Sequence, residues 1–193
     1  FEPHPKTYKL LQLNTEDFPH IKTFNIGLSN EKKQSHIFIE SITNVAGTNY
    51  IEDQKGGRKI FFEKFDDLYN FKNSISFIKI DVEGNELDVL KSMKKNLENN
   101  SPIISLEFDM QDFTNNNEII SFLRELGYKK YYFFKTNRPL NLRIRNIFAN
   151  FFKIVFMGHK TEIELMDSKF FDNKTFYRND NIIISKQEIK KPF

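Results

Sequence analysis

The stretch SFIKIDVEGNELDVL, residues 76–90, decides the fold, because it drives a strand into a cluster of carboxylates and from there into a helix. Phe77, Ile78, Ile80 and Val82 are aromatic or aliphatic and mostly β-branched, the composition of a strand covered on both faces by helices in a parallel sheet. Asp81, Glu83 and Glu86 gather at its carboxyl end around Gly84. With no Cβ, Gly84 permits the sharp turn that sends a strand into a helix and leaves room for a ligand. Ligands of open α/β sheets bind outside the carboxyl ends of the strands, so these three acids are the leading catalytic residues. The plainer reading of Glu83 and Glu86 is that of first-turn acids favoured by the helix dipole.

Working outward, strands and helices alternate. The pattern predicts a short helix over 7–13, a strand over 21–26, an added strand over 35–40 and a polar loop over 44–57 that contains Gly56 and Gly57. A short strand over 58–62 precedes the central strand over 77–81 and a helix over 86–97, which Asn99, Asn100, Ser101 and Pro102 stop. Then come a strand over 103–108, a helix over 117–126 closed by Gly127, a strand over 128–135 and a last, antiparallel strand over 181–185. The chain reads as a single α/β domain over 1–193 with an insertion over 137–180.

Composition excludes several classes of function. A hydrophobic content of 39% with 28% charged residues is that of a folded globular protein, and 22 Phe supply the bulk where Trp is absent. The net charge of +3, with both signs interspersed, gives no footprint for nucleic acid. Zero Cys removes a disulfide framework and any cysteine-based zinc site, and is compatible with a cytoplasmic location. The four His, at 4, 20, 36 and 159, form no ligand spacing and read as surface or loop residues. His4 alone falls near the expected cofactor edge.

Four segments together resemble one family. IKIDVEGNELDVLKSM, residues 78–93, is similar to the signature of the FkbM-type methyltransferases, a strand ending in Asp-Val-Glu-Gly-x-Glu followed by a Leu-rich helix. FEPHPKTYKLLQLN at 1–14, IKTFNIGLSNEKKQ at 21–34 and FFEKFDDLY at 61–69 resemble further family blocks in family order, so that the likeness covers the first two thirds of the chain. The resemblance implies a Rossmann-like class I methyltransferase sheet with a terminal antiparallel hairpin. It implies S-adenosylmethionine as cofactor and methyl transfer to a hydroxyl oxygen, of a sugar or glycan acceptor.

The same resemblance implies roles. Glu2, His4, Leu28 and Ser29 fall at the cofactor side. Glu2 would accept hydrogen bonds from the ribose hydroxyls, since a carboxylate has no proton to donate. Asp81 would remove the acceptor's proton, with Glu83 and Glu86 orienting acceptor hydroxyls or holding a divalent cation. Glu107 and Asp109, after the next strand, would add a substrate-binding rim. Family members carry a strand and a glycine-rich turn before the Phe-Glu-Pro block, and this chain begins after that place. We therefore expect a sheet incomplete at its N-terminus. A cofactor-less remnant acting as a binding module is one alternative; a nicotinamide-dependent Rossmann enzyme is another, which the acidic cluster argues against.

One segment stands outside this scheme. Ile144, Ile147, Phe148, Phe151, Phe152 and Val155 recur at helical spacing, with Arg143, Arg145, Asn146, Asn150 and Lys153 elsewhere around the turn. The expected reading is an ordinary helix packed on the sheet. Its alternative is peripheral contact through 141–157 with the inner face of an anionic membrane.

Overall fold

The computed structural model describes residues 1–37, 58–68, 74–82, 84–108, 113–136, 161–166 and 180–189. The chain divides into two compact units, Phe1–Pro102 and Ile103–Phe193. Glu83, Asp109, the Gly56-Gly57 loop and the basic amphipathic segment over 141–157 lie outside the described residues. Among those residues no helix is long and apolar enough to cross a membrane.

The first unit opens with helix α1 (Pro5–Thr15), longer at both ends than its apolar pattern predicts; at its start Pro5 opens it and His4 caps it. Strand β1 (Gly27–Leu28) runs parallel to β3 (Arg58–Glu63), and β2 (Lys33–Ile37) pairs with β3 antiparallel, Ser35 facing Ile60. The sheet order is β1-β3-β2. No strand forms over 21–26, where one was expected; the strand begins just beyond, at β1. Upstream of it, the backbone bond from Glu2 N to Phe24 O, 3.0 Å, ties residues 21–26 to the N-terminal segment without building a ladder. Phe1 secures that contact, stacked on Phe24 at 5.1 Å and edge-on to Phe65 at 5.8 Å.

Helix α2 (Phe65–Leu68), strand β4 (Phe77–Ile80) and helices α3 (Glu86–Ser92) and α4 (Lys94–Asn100) complete the unit. Burial along β4 alternates: Ile80 is buried and Ile78 half-buried, whereas Phe77, Lys79 and Asp81 are exposed. The expectation of a strand covered on both faces is thus corrected, because side chains of successive strand residues point to opposite faces and only one of these faces is buried. Val89, Leu90, Met93 and Leu97 turn one side of the two helices into the core, beside Phe65 and Ile80. The single helix expected over 86–97 is broken at Met93, whose backbone leaves helical geometry at φ −114° and ψ 20°. The cause is a competing acceptor. Asp66 of α2 takes the amides of Lys95 at 2.8 Å and Asn96 at 3.2 Å, and the Asn96 side chain at 2.6 Å, so a new helix starts there with a borrowed cap. Ser101, at φ 52°, then stops α4 in the left-handed region.

In the second unit, β5 (Ile103–Phe108), β8 (Asp180–Ser185), β6 (Lys130–Thr136) and β7 (Thr161–Met166) lie side by side in that order, all antiparallel. The expected antiparallel last strand is present, seated between β5 and β6 with Leu106 facing Ile182 and Tyr131 facing Ile184. The segment expected as an insertion contributes β7, which extends the sheet beyond β6. Helix α5 (Phe113–Glu125) buries Ile119, Ile120 and Leu123 on one side. Gly127, at φ 88°, closes it: its amide bonds Arg124 O and the amide of Tyr128 bonds Leu123 O, the paired arrangement of a left-handed helix cap.

Replacing Asp66 by Ala removes the acceptor that starts α4 and is expected to lower stability by about 1–2 kcal/mol. Asp66→Asn, which keeps one acceptor oxygen, is expected to lose less. Urea denaturation of the two variants beside the parent chain measures both.

Candidate active site

The turn after β4 organises the site. Gly84 adopts φ 97°, a conformation in which a Cβ would be strained, and its amide donates to Glu86 Oε1 at 3.0 Å. Glu86 opens α3 with its side chain buried, 6% exposed, so its carboxylate serves the turn as a reversed cap. A buried carboxylate needs donors, and a charge-assisted bond from a backbone amide is a strong one. Asp81 is different. It stands exposed just past β4, with Lys79 Nζ 3.2 Å from its Oδ2. Lys79 escaped the sequence reading, although the period of two along a strand puts residues 79 and 81 on one face.

Asp81 lines a cavity of about 410 Å³ with Lys79 and Asn85, and otherwise mainly with apolar side chains that include Phe62, Phe65 and Val89. Leu28 and Pro3 line the same cavity. The structure therefore brings Asp81 and Leu28 together, with Glu2 one residue from the lining Pro3. Ser29, 2% exposed, takes Glu63 O through its amide at 3.0 Å and reaches Asp88 Oδ2 through its hydroxyl at 3.4 Å. That bond ties the end of β1 to α3. Asp88 is a positioning partner that no motif announced.

Glu2 accepts the amide of His4 at 2.7 Å through Oε1, while its other oxygen takes no hydrogen bond from the described residues. His4 is not the surface residue its composition suggests. It is 5% exposed, and its Nδ1 caps α1 by accepting the Thr7 amide at 3.3 Å, with Thr7 Oγ1 at 3.2 Å. Its Nε2 is buried without a partner. Burial pushes the pKa of His4 below the ordinary value for a histidine; Glu2 opposes this, and Arg58 and Lys6 add to it. Glu107 belongs to the second unit, opposite Asn181 in the ladder between β5 and β8. Among the described residues no group of three or more His, Cys, Asp or Glu side chains could hold a metal ion.

A strand whose carboxyl end carries an acid beside a cavity, followed by a turn into a helix, is the layout of a Rossmann-like ligand-binding domain. A family model described as the methyltransferase FkbM domain matches residues 1–130, and the chain belongs to that family. No curated protein and no solved structure matches the chain.

The state of His4 makes a pH dependence. The folded chain favours the neutral ring, which alone offers Nδ1 as an acceptor, whereas the unfolded chain binds a proton near pH 6.5. The stability His4 contributes is complete above that pH and is lost as pH falls toward the lowered folded value, by at most about 1.4 kcal/mol per pH unit for one proton. His4→Asn keeps a cap that does not titrate, so the slope of stability between pH 6.5 and 5 is expected to flatten in urea denaturation of that variant.

Proposed function

We propose that this domain transfers the methyl group of S-adenosylmethionine to a hydroxyl oxygen, with a sugar or glycan as acceptor. The observation that carries the reading is Asp81: an exposed carboxylate at the carboxyl end of β4, on the wall of a cavity it shares with Leu28 and Pro3. The residues fit the cofactor at its ribose end. Glu2 is held by the His4 amide through one oxygen and leaves the other as an acceptor, which two hydroxyl donors can use. Leu28 and Pro3 supply an apolar wall beside it. Ser29 keeps that wall in place through Asp88 and Glu63.

S-adenosylmethionine bound there supplies a methyl group on a positively charged sulfur, a good leaving group. What remains for the protein is to align an oxygen and accept its proton. Asp81 accepts the proton at a carboxylate oxygen. Lys79 holds the other side of that carboxylate and restrains its rotation, at 3.2 Å. Glu86 stays with the Gly84 amide and keeps the turn closed, so in this reading its part in the reaction is to position Asp81.

Asp81→Asn keeps the size and one acceptor oxygen but removes the base, and a rate loss of about 10²–10⁴ with little change in cofactor affinity is expected in a methyl-transfer assay. Retention of near-full turnover by that variant would reassign the base. Glu2→Gln is expected to weaken S-adenosylmethionine by about 1.5–3 kcal/mol, measured by calorimetric titration, and to leave turnover at saturating cofactor nearly unchanged.

A further inference from the structure

Glu2 is followed by Pro3, His4 and Pro5, and this spacing leaves the chain a single backbone donor. Proline has no N–H, so among residues 3–5 only His4 offers one. The backbone around Glu2 is fixed from the opposite side. The Glu2 amide donates to Phe24 O at 3.0 Å, and Asn25 Nδ2 donates to the carbonyls of Glu2 at 2.8 Å and Pro3 at 3.1 Å. What these bonds leave free is the Glu2 carboxylate, and among the described residues the His4 amide, at 2.7 Å, is its hydrogen-bond donor. The ring of the same residue caps α1 through Nδ1. His4 thus holds the carboxylate with its backbone and the helix with its side chain.

We infer that His4 is a positioning residue for the cofactor: its uncharged ring, docked on Thr7, fixes the amide that aims the Glu2 carboxylate, and a proton on that ring releases both. Resting on the reading of Glu2 as acceptor of the ribose hydroxyls, this makes cofactor affinity depend on pH. The donors and acceptors dictate the sense of the change. The Thr7 amide can only donate, so Nδ1 is bare and the proton of the neutral ring sits on Nε2. A second proton, on Nδ1, points a donor at the Thr7 N–H. It can still serve Thr7 Oγ1, at 3.2 Å, but the Thr7 amide then has no acceptor in the cap. Left in place, the ring would also be a cation only 5% exposed, with its Nε2 unpartnered among the described residues. Of the charges that act on it, Glu2 attracts the cation, while Arg58 on β3 and Lys6 on α1 repel it. The protonated ring therefore leaves the cap and turns to Glu2, where it competes with the cofactor's hydroxyls for the carboxylate.

The test uses the 193-residue chain, titrated calorimetrically with S-adenosylmethionine between about pH 7.5 and pH 5.5 as parent, His4→Asn and His4→Ala. Asn caps a helix without titrating, so it stands in for the neutral ring. The parent is expected to lose affinity as pH falls, by at most about tenfold per pH unit, the limit for one proton. His4→Asn is expected to bind within about twofold of the parent at the upper pH and more tightly than the parent at the lower one. His4→Ala, with neither cap nor charge, is expected to bind weakly at both. A second readout needs no cofactor. The hydrogen-exchange protection of the amide of residue 4, measured by NMR and corrected for the intrinsic pH dependence, is expected to fall about threefold or more in the parent as the ring is protonated and to stay constant in His4→Asn. Equal pH profiles of affinity for the parent and His4→Asn, or protection that ignores the ring's proton, would overturn the inference. Absence of cofactor binding at every pH sinks the methyl-transfer reading instead, and the amide protection then decides whether the ring of His4 governs its hold on Glu2.

Discussion

The bond between the Gly84 amide and the buried Glu86 carboxylate is the constraint on which the first unit turns. A carboxylate taken out of water loses several kcal/mol of solvation unless charge-assisted bonds replace it, and a glycine held at positive φ fixes where its amide points. Together they set the direction in which α3 leaves β4. That direction carries Val89, Leu90 and Met93 into the core, brings Asp88 to Ser29, and leaves Asp81 outside the turn. The site therefore contains two kinds of acid. One is held by the turn and the other stands exposed beside Lys79, and neighbours two residues away decide which is which.

Aromatic and electrostatic contacts then fix the rest at longer range. Phe1 against Phe24 and Phe65 holds the N-terminal segment where Glu2 can meet the His4 amide. Lys32 and Glu63, 2.7 Å apart, brace the end of β3, and Glu63 O receives the Ser29 amide. The Lys32 side chain is 77% exposed, so this pair is worth little in energy. Its value is in alignment.

What the sequence made legible follows the range of the forces involved. The strand at 77–80, the turn at Gly84 and the cap at Gly127 were readable because apolar period and glycine act over a few residues. The break at Met93 was not, since its cause, Asp66, lies 29 residues from Lys95. β7 was hidden because a strand that extends an antiparallel sheet at its end needs no distinctive pattern. Burial of His4 was equally silent: a polar residue before Pro5 looks exposed until the helix it caps is in place. Of the residues expected at the site, Asp81 and Leu28 line one cavity and Glu83 and Asp109 lie outside the described residues, while Lys79 and Asp88 enter the picture only through the contacts they make in three dimensions.

Helix α1 is held differently from the helices of the core. It buries no residue fully, and Leu10 and Leu13 remain 58% and 54% exposed. Its fastenings are polar: the His4 cap at one end, Tyr8 Oη donating to Thr23 O at 3.2 Å, and Thr15 Oγ1 turning back to Leu11 O at 2.7 Å. Opening such a helix uncovers little new surface, and the sensitivity of an opening to denaturant scales with surface uncovered. The amides of α1 are thus expected to exchange through local fraying that urea hardly accelerates, and those of α3, which turns Val89 and Leu90 into the core, through a larger opening that urea promotes.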